Sequence, residues 1–83
     1  MNITAIDYIL KRIEVAADSI GFVIDNCPTY CESCQIITDY QYEGIVPTYE
    51  QRVLIAETLE TLCFLLKLDY LALMNEAMAK VKN

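Results

Sequence analysis

Apolar residues at Ile6, Ile9, Leu10, Ile13, Ala16, Ala17, Ile20, Val23 and Ile24 recur at the i, i+3, i+4 spacing of a single helix face. The pattern persists for about five turns at 3.6 residues per turn and predicts a first helix over 5–25. Thr4 is placed to cap it, and Asp7 falls in the first turn, where a carboxylate complements the positive end of the helix dipole. Asp25 and Asn26, just before Pro28, close the other end. Gly21 lies inside this stretch and costs about 1 kcal/mol relative to alanine in a helix. Its presence predicts either a close helix approach or a kink.

Pro28 suits the first turn of a second helix over 28–42, with Asn26 or Cys27 as its cap. Tyr30, Cys31, Cys34, Ile37 and Gln41 then share a face. The run Ile36-Ile37-Thr38 and the tyrosines would also suit a strand. Gly44 is placed to terminate this helix, and Ile45-Val46-Pro47 reads as an extended connector.

Thr48 and Gln51 form a capping-box pattern, which predicts the start of a third helix over 49–81. Leu54, Ala56, Leu59, Leu62, Cys63, Leu66, Tyr70, Leu73, Ala77 and Val81 carry its period, and neither proline nor glycine follows Pro47. Uninterrupted, this helix would be about 50 Å long at 1.5 Å per residue. It must therefore bend, near 67–69, or project beyond the domain to pair with another chain. Repeats and linkers are absent, so the chain is expected to be one all-α domain over 1–83, a small bundle of three to four helices.

Size and composition add an expectation of self-association. A chain of 83 residues gains only a few kcal/mol of net stability from a single core. Its apolar fraction, 55%, nevertheless exceeds the roughly 45–50% of ordinary globular chains. A homodimer or higher oligomer is expected, with Leu62, Leu66, Tyr70, Leu73 and Ala77 as its contact face.

The net charge is −6, and no lysine or arginine occurs between Arg12 and Arg52. Seven acids fill that interval: Glu14, Asp18, Asp25, Glu32, Asp39, Glu43 and Glu50. Such a field repels phosphate, which argues against direct nucleic-acid binding and against anionic membranes; a basic protein surface is attracted instead. The bland reading is that these acids keep an apolar chain soluble. Residues 1–7 lack the basic segment and apolar run of a secretory leader. The most apolar stretch, 62–74, contains Lys67 and Asp69 and falls short of the roughly 20 residues that span a bilayer. A cytoplasmic location is expected, where cysteines are ordinarily reduced.

Cys27, Cys31 and Cys34 have the spacing C-x3-C-x2-C, which is i, i+4, i+7 if Cys27 begins the second helix. The first expectation is that they pack as small buried apolar groups. The alternative is a metal site, structural zinc or an iron–sulfur cluster, completed by Cys63 if the third helix packs on the second. A single C-x2-C pair is weak support for it, because zinc modules usually present two such knuckles. Cys31 and Cys34 could also form a thiol-redox pair early in a helix, although a preceding strand would be expected and a helix precedes them here. The chain contains no histidine and only two glycines, which removes imidazole bases and phosphate-cradling loops. Carboxylate pairs such as Glu14/Asp18 and Asp39/Glu43 read as solvated helix faces. An enzyme is not expected, and neither is a resident cofactor beyond the zinc alternative.

Six tyrosines and no tryptophan are present. Tyrosine favours binding hot spots because it buries a rigid ring while its hydroxyl stays hydrogen-bonded. The expected function is a non-enzymatic, acidic protein-interaction module, an accessory or antagonist protein that docks a basic partner surface through Tyr30, Glu32, Asp39, Tyr40, Tyr42, Glu43, Tyr49 and Glu50. One version of this reading has the acids imitate nucleic-acid phosphates. The plainer alternative for the tyrosines is that they cover the edges of a small core.

Overall fold

Asn2, rather than Thr4, starts the first helix: its side-chain oxygen accepts a hydrogen bond from the Ala5 backbone N–H at 3.1 Å. The computed structural model describes residues 2–82, and among these every regular element is helical. Helix α1 spans Ile3–Ala16, α2 Ile20–Asn26, α3 Tyr30–Glu43, α4 Tyr49–Leu65 and α5 Tyr70–Lys82. The expected three to four helices are thus five, because the first and third predicted helices each divide in two.

The stretch 5–25 breaks at 17–19. Ala17 and Ser19 are both extended, and the Ser19 hydroxyl accepts from the Gly21 N–H at 3.1 Å, capping α2. Asp18 and Ser19 are short polar residues that compete with helical hydrogen bonding, and a serine that caps a new helix has a better partner than one inside an old helix. Apolar periodicity cannot register this break, since Ile13 and Val23 are buried on either side of it and Ala17 within it. Ala16, Ile20 and Ile24, which the period assigns to the same face, are exposed.

The third predicted helix breaks at the anticipated place, and the break separates two helices rather than bending one. Lys67 adopts the left-handed conformation at φ 58°. Its N–H donates to the Phe64 carbonyl at 3.3 Å, and the Leu68 N–H donates to the Cys63 carbonyl at 2.8 Å. This pair of bonds is a Schellman motif, usually built on glycine. For lysine the left-handed conformation costs roughly 1–2 kcal/mol. Leu68 packs against the core and offsets that cost. Asp69 then caps α5 by accepting from the Ala72 N–H at 3.1 Å.

The two remaining terminal signals appear as expected. Gly44 is left-handed at φ 70° and donates to the Tyr40 carbonyl at 3.1 Å, ending α3. Thr48 and Gln51 exchange hydrogen bonds at 3.2 and 2.9 Å, opening α4. Pro28 stands outside α3, in a turn where the Tyr30 N–H donates to the Cys27 carbonyl at 3.0 Å.

After the break at Lys67, the main packing partner of α5 is α1. Ile6, Ile9 and Ile13 of α1 meet Ile55, Leu59 and Leu62 of α4 and Leu73 and Ala77 of α5 in one core, with Val23, Ile36 and Ile37 contributed by α2 and α3. Each of the isoleucine, leucine and valine side chains contributes about 1.5–3 kcal/mol on burial.

Candidate protein-interaction surface

The start of α3 decides what the cysteines can do. Since that helix begins at Tyr30, Cys27 lies outside it, and the three thiols do not form the single face that their spacing suggests. Cys27 is buried with its Sγ 3.7 Å from Thr29 Oγ1, Cys31 is exposed, Cys34 is half-buried, and Cys63 is buried on α4. Among the described residues no three His, Cys, Asp or Glu side chains converge as a metal site requires. Burial pushes the Cys34 thiol pKa up, against the pull of a Tyr30 hydrogen bond, and Glu14, Cys31 and Asp7 raise it further. Burial, with a smaller effect of Asp69, also raises the Cys63 thiol. Reactive thiols need the opposite environment.

Beneath the start of α3 lies a buried hydroxyl cluster that sequence reading missed. Thr58 Oγ1 donates to the Leu54 carbonyl at 2.8 Å, so its two remaining acceptor positions take the hydroxyls of Ser33 at 2.9 Å and Thr29 at 2.7 Å. Thr58 is thereby fully satisfied, and α3 is fixed against α4. Its position between Ile55 and Leu62, at i+3 and i−4 on the inward face of α4, is the signal that pointed to it.

The residues expected to bind a partner separate into two groups. Tyr30 is buried in the core, and burial, followed by hydrogen bonding to Cys34 and proximity to Glu14, pushes its hydroxyl pKa up. It therefore offers no ring to a partner. Asp39 is half-buried and accepts from Gln35 Nε2 at 2.8 Å. Tyr42 is 83% exposed and Tyr49 72%, and Glu32, Tyr40, Glu43 and Glu50 also face outward. Glu32 and Glu50, from different helices, meet at a small hollow of about 380 Å³ that Thr48, Gln51 and Leu54 complete.

Between these tyrosines the connector exposes Ile45 and Val46, the latter by 74%, while Val53 follows Tyr49 by one turn of α4. Tyr49, Arg52, Val53 and Ala56 line a shallow hollow of about 430 Å³. An apolar connector closed only by Pro47 was the sequence signal for this patch. The α3–α4 corner thus combines exposed rings, exposed aliphatic groups and carboxylates.

The face expected to join two copies is used differently. Leu62, Leu73 and Ala77 are buried within the chain's own core, and Leu66 and Tyr70 pack against it. The break at Lys67 lets that leucine-rich surface pack within the chain.

A third concavity, of about 790 Å³, opens between α1, α3, α4 and α5. Buried Ile3, Ala5, Ile6 and Leu59 line it together with half-buried Tyr70, Met74 and Met78; Asn2, Thr4 and Tyr40 are exposed. Further along the α1–α5 contact, Glu76 accepts hydrogen bonds from Tyr8 Oη and Arg12 Nη1. The Tyr8 hydrogen bond, partly opposed by burial and aided by the charge and hydrogen bond of Arg12, holds the Glu76 carboxyl below the ordinary glutamate range.

Among the described residues no helix is long and apolar enough to cross a membrane. Compared with protein-family models, curated proteins and solved structures, the chain shows no significant match, and its own residues are the basis for the functional reading.

Proposed function

We propose that this chain is a non-enzymatic protein-interaction module that docks a basic surface of a partner protein through the α3–α4 corner. The observation that carries the reading is the outward exposure of Tyr42, Val46 and Tyr49 alongside Glu43 and Glu50. Exposed apolar side chains gathered at one corner mark interaction sites more often than chance exposure does. Tyrosine supplies binding energy there, and its ring face also attracts lysine or arginine. The carboxylates add steering and specificity for a cationic partner rather than raw affinity. The same charge disfavours nucleic acid and anionic lipid as partners.

Titration with a basic amphipathic peptide, followed by amide chemical shifts, tests this reading. Reversing both Glu43 and Glu50 to lysine should weaken binding by at least tenfold at low salt while leaving the melting temperature unchanged. Tyr42→Ala with Tyr49→Ala should weaken it comparably at any salt. Undiminished affinity in both double variants would remove the corner as the docking surface.

A further inference from the structure

Cys31 and Cys34 stand one turn apart near the start of α3 and differ in access: Cys31 is exposed, whereas Cys34 is half-buried against the core. The other two thiols are closed off. Cys27 is buried ahead of the helix with its Sγ beside Thr29, and Cys63 is buried on α4.

Residues three apart on an α-helix have Cα atoms about 5 Å apart, from its rise and radius. That falls inside the roughly 4.4–6.8 Å found across disulfides. Their Cβ atoms are about 5–6 Å apart, beyond the roughly 3.5–4.5 Å of a relaxed disulfide. A bond between the two sulfurs is therefore within reach, provided the turn that joins them tightens by about 1 Å. Strained disulfides of this kind are the easily reduced ones.

We propose that Cys31 and Cys34 are a reversible dithiol, converted to an intrahelical disulfide by hydroperoxides and returned to thiols by small thiol reductants. The inference stands apart from the docking reading. Cys31 is the point of entry, because its side chain is the one open to solvent. Its thiolate attacks one peroxide oxygen: the S–O bond forms, the O–O bond breaks, and the alcohol leaves with a proton. Cys31 is oxidised by two electrons to a sulfenic acid, and the hydroperoxide is reduced by two. Cys34 then attacks the Cys31 sulfur: the S–S bond forms, the S–O bond breaks, and the Cys34 proton leaves with the hydroxyl as water. Two thiols and one hydroperoxide give one disulfide, one alcohol and one water.

The surroundings of Cys34 suit this second role. Burial, aided by Glu14 and Asp7 and opposed by Tyr30, raises its thiol pKa and makes it a poor target for free oxidant. One turn from Cys31, it meets a sulfenic acid within the same chain, where proximity replaces reactivity. Ser33 lies in the turn that tightens, and its hydroxyl donates to Thr58 Oγ1 at 2.9 Å. Closure is therefore felt in the buried hydroxyl cluster.

The test uses the reduced chain at micromolar concentration with one equivalent of hydrogen peroxide. The chain should lose two hydrogens in mass, and peptide mapping should place the link between Cys31 and Cys34. Millimolar glutathione should then restore both thiols, and amide signals of Ser33 and Thr58 should differ between the two forms. Cys34→Ser should accumulate the Cys31 sulfenic acid, trapped as its dimedone adduct, and Cys31→Ser should slow peroxide consumption at least tenfold. Four intact thiols, a sulfenic acid that persists in the wild type, or a link to Cys27, Cys63 or a second chain would each overturn the pairing. A Cys31–Cys34 bond that withstands millimolar glutathione would overturn its reversibility.

Discussion

Thr58 shows how much a single hydroxyl can organise. It takes part in three hydrogen bonds, two of them from Ser33 and Thr29, so replacing it strands several polar groups at once. Thr58→Val keeps the shape but should cost about 1–3 kcal/mol in chemical denaturation, the range for leaving buried partners unsatisfied. Ser33→Ala removes one donor and leaves Thr58 with other partners, so its cost should be clearly smaller; equal losses would mean that the cluster does not act as described. Lys67 offers the opposite opportunity. Relieving a left-handed lysine gains roughly 1–2 kcal/mol, and glycine's extra chain entropy returns roughly 0.5–1 of it. Lys67→Gly should therefore stabilise the chain by about 0.5–1 kcal/mol. The thiols, finally, should react in order of exposure: mass-resolved alkylation of folded protein should modify Cys31 first, Cys34 more slowly, and Cys27 and Cys63 only on unfolding.

At the scale of elements, the docking of α5 on α1 combines apolar packing with the Tyr8, Arg12 and Glu76 cluster. Glu76 has its carboxyl pKa depressed in the folded chain. A depressed carboxyl stabilises the fold above its unfolded pKa, about 4.3 for glutamate. That contribution is lost as the pH falls through the lower folded value. Wild type should thus exceed Glu76→Gln in stability at neutral pH, and the gap should close in acid. Added salt should narrow it too, because the pair is solvent-accessible. A gap that widened on acidification would contradict the assigned hydrogen bonds. The terminal signals of the helices explain why some boundaries were legible and others not. Gly44 and the Thr48/Gln51 box act through residue types specific to their positions, whereas the Lys67 turn uses a residue that ordinarily favours helix.

For the molecule as a whole, the break at Lys67 decides which apolar surface is buried and which is left exposed. Leu62 lies in the core, whereas Phe64, two residues on, is exposed. Leu62→Ser should therefore unfold the chain rather than dissociate an oligomer. Phe64→Ser should leave stability within about 0.5 kcal/mol, as surface changes generally do. If copies associate through the remaining exposed groups, such as Phe22, Ile24 and Phe64, light scattering at micromolar concentration should show a mass that falls in Phe64→Ser. A wild-type mass of 9.5 kDa under those conditions would dispose of self-association.

The sequence by itself determined the helical class, because its apolar residues repeat at 3.6 rather than 2 and its caps at Gly44 and Thr48 act within a few residues. It also determined the acidic field between Arg12 and Arg52, a property of composition that no fold can remove. Tertiary structure alone decided that Tyr30 turns inward while Tyr42 and Tyr49 turn outward, that the thiols stay apart, and that α5 packs on α1. Those outcomes depend on where breaks at 17–19 and at Lys67 redirect the chain; each break has local hydrogen bonds, and the packing of Ala17 and Leu68 with the core adds the non-local part. Local pattern reports which residues prefer burial; only the assembled core determines which of them obtain it.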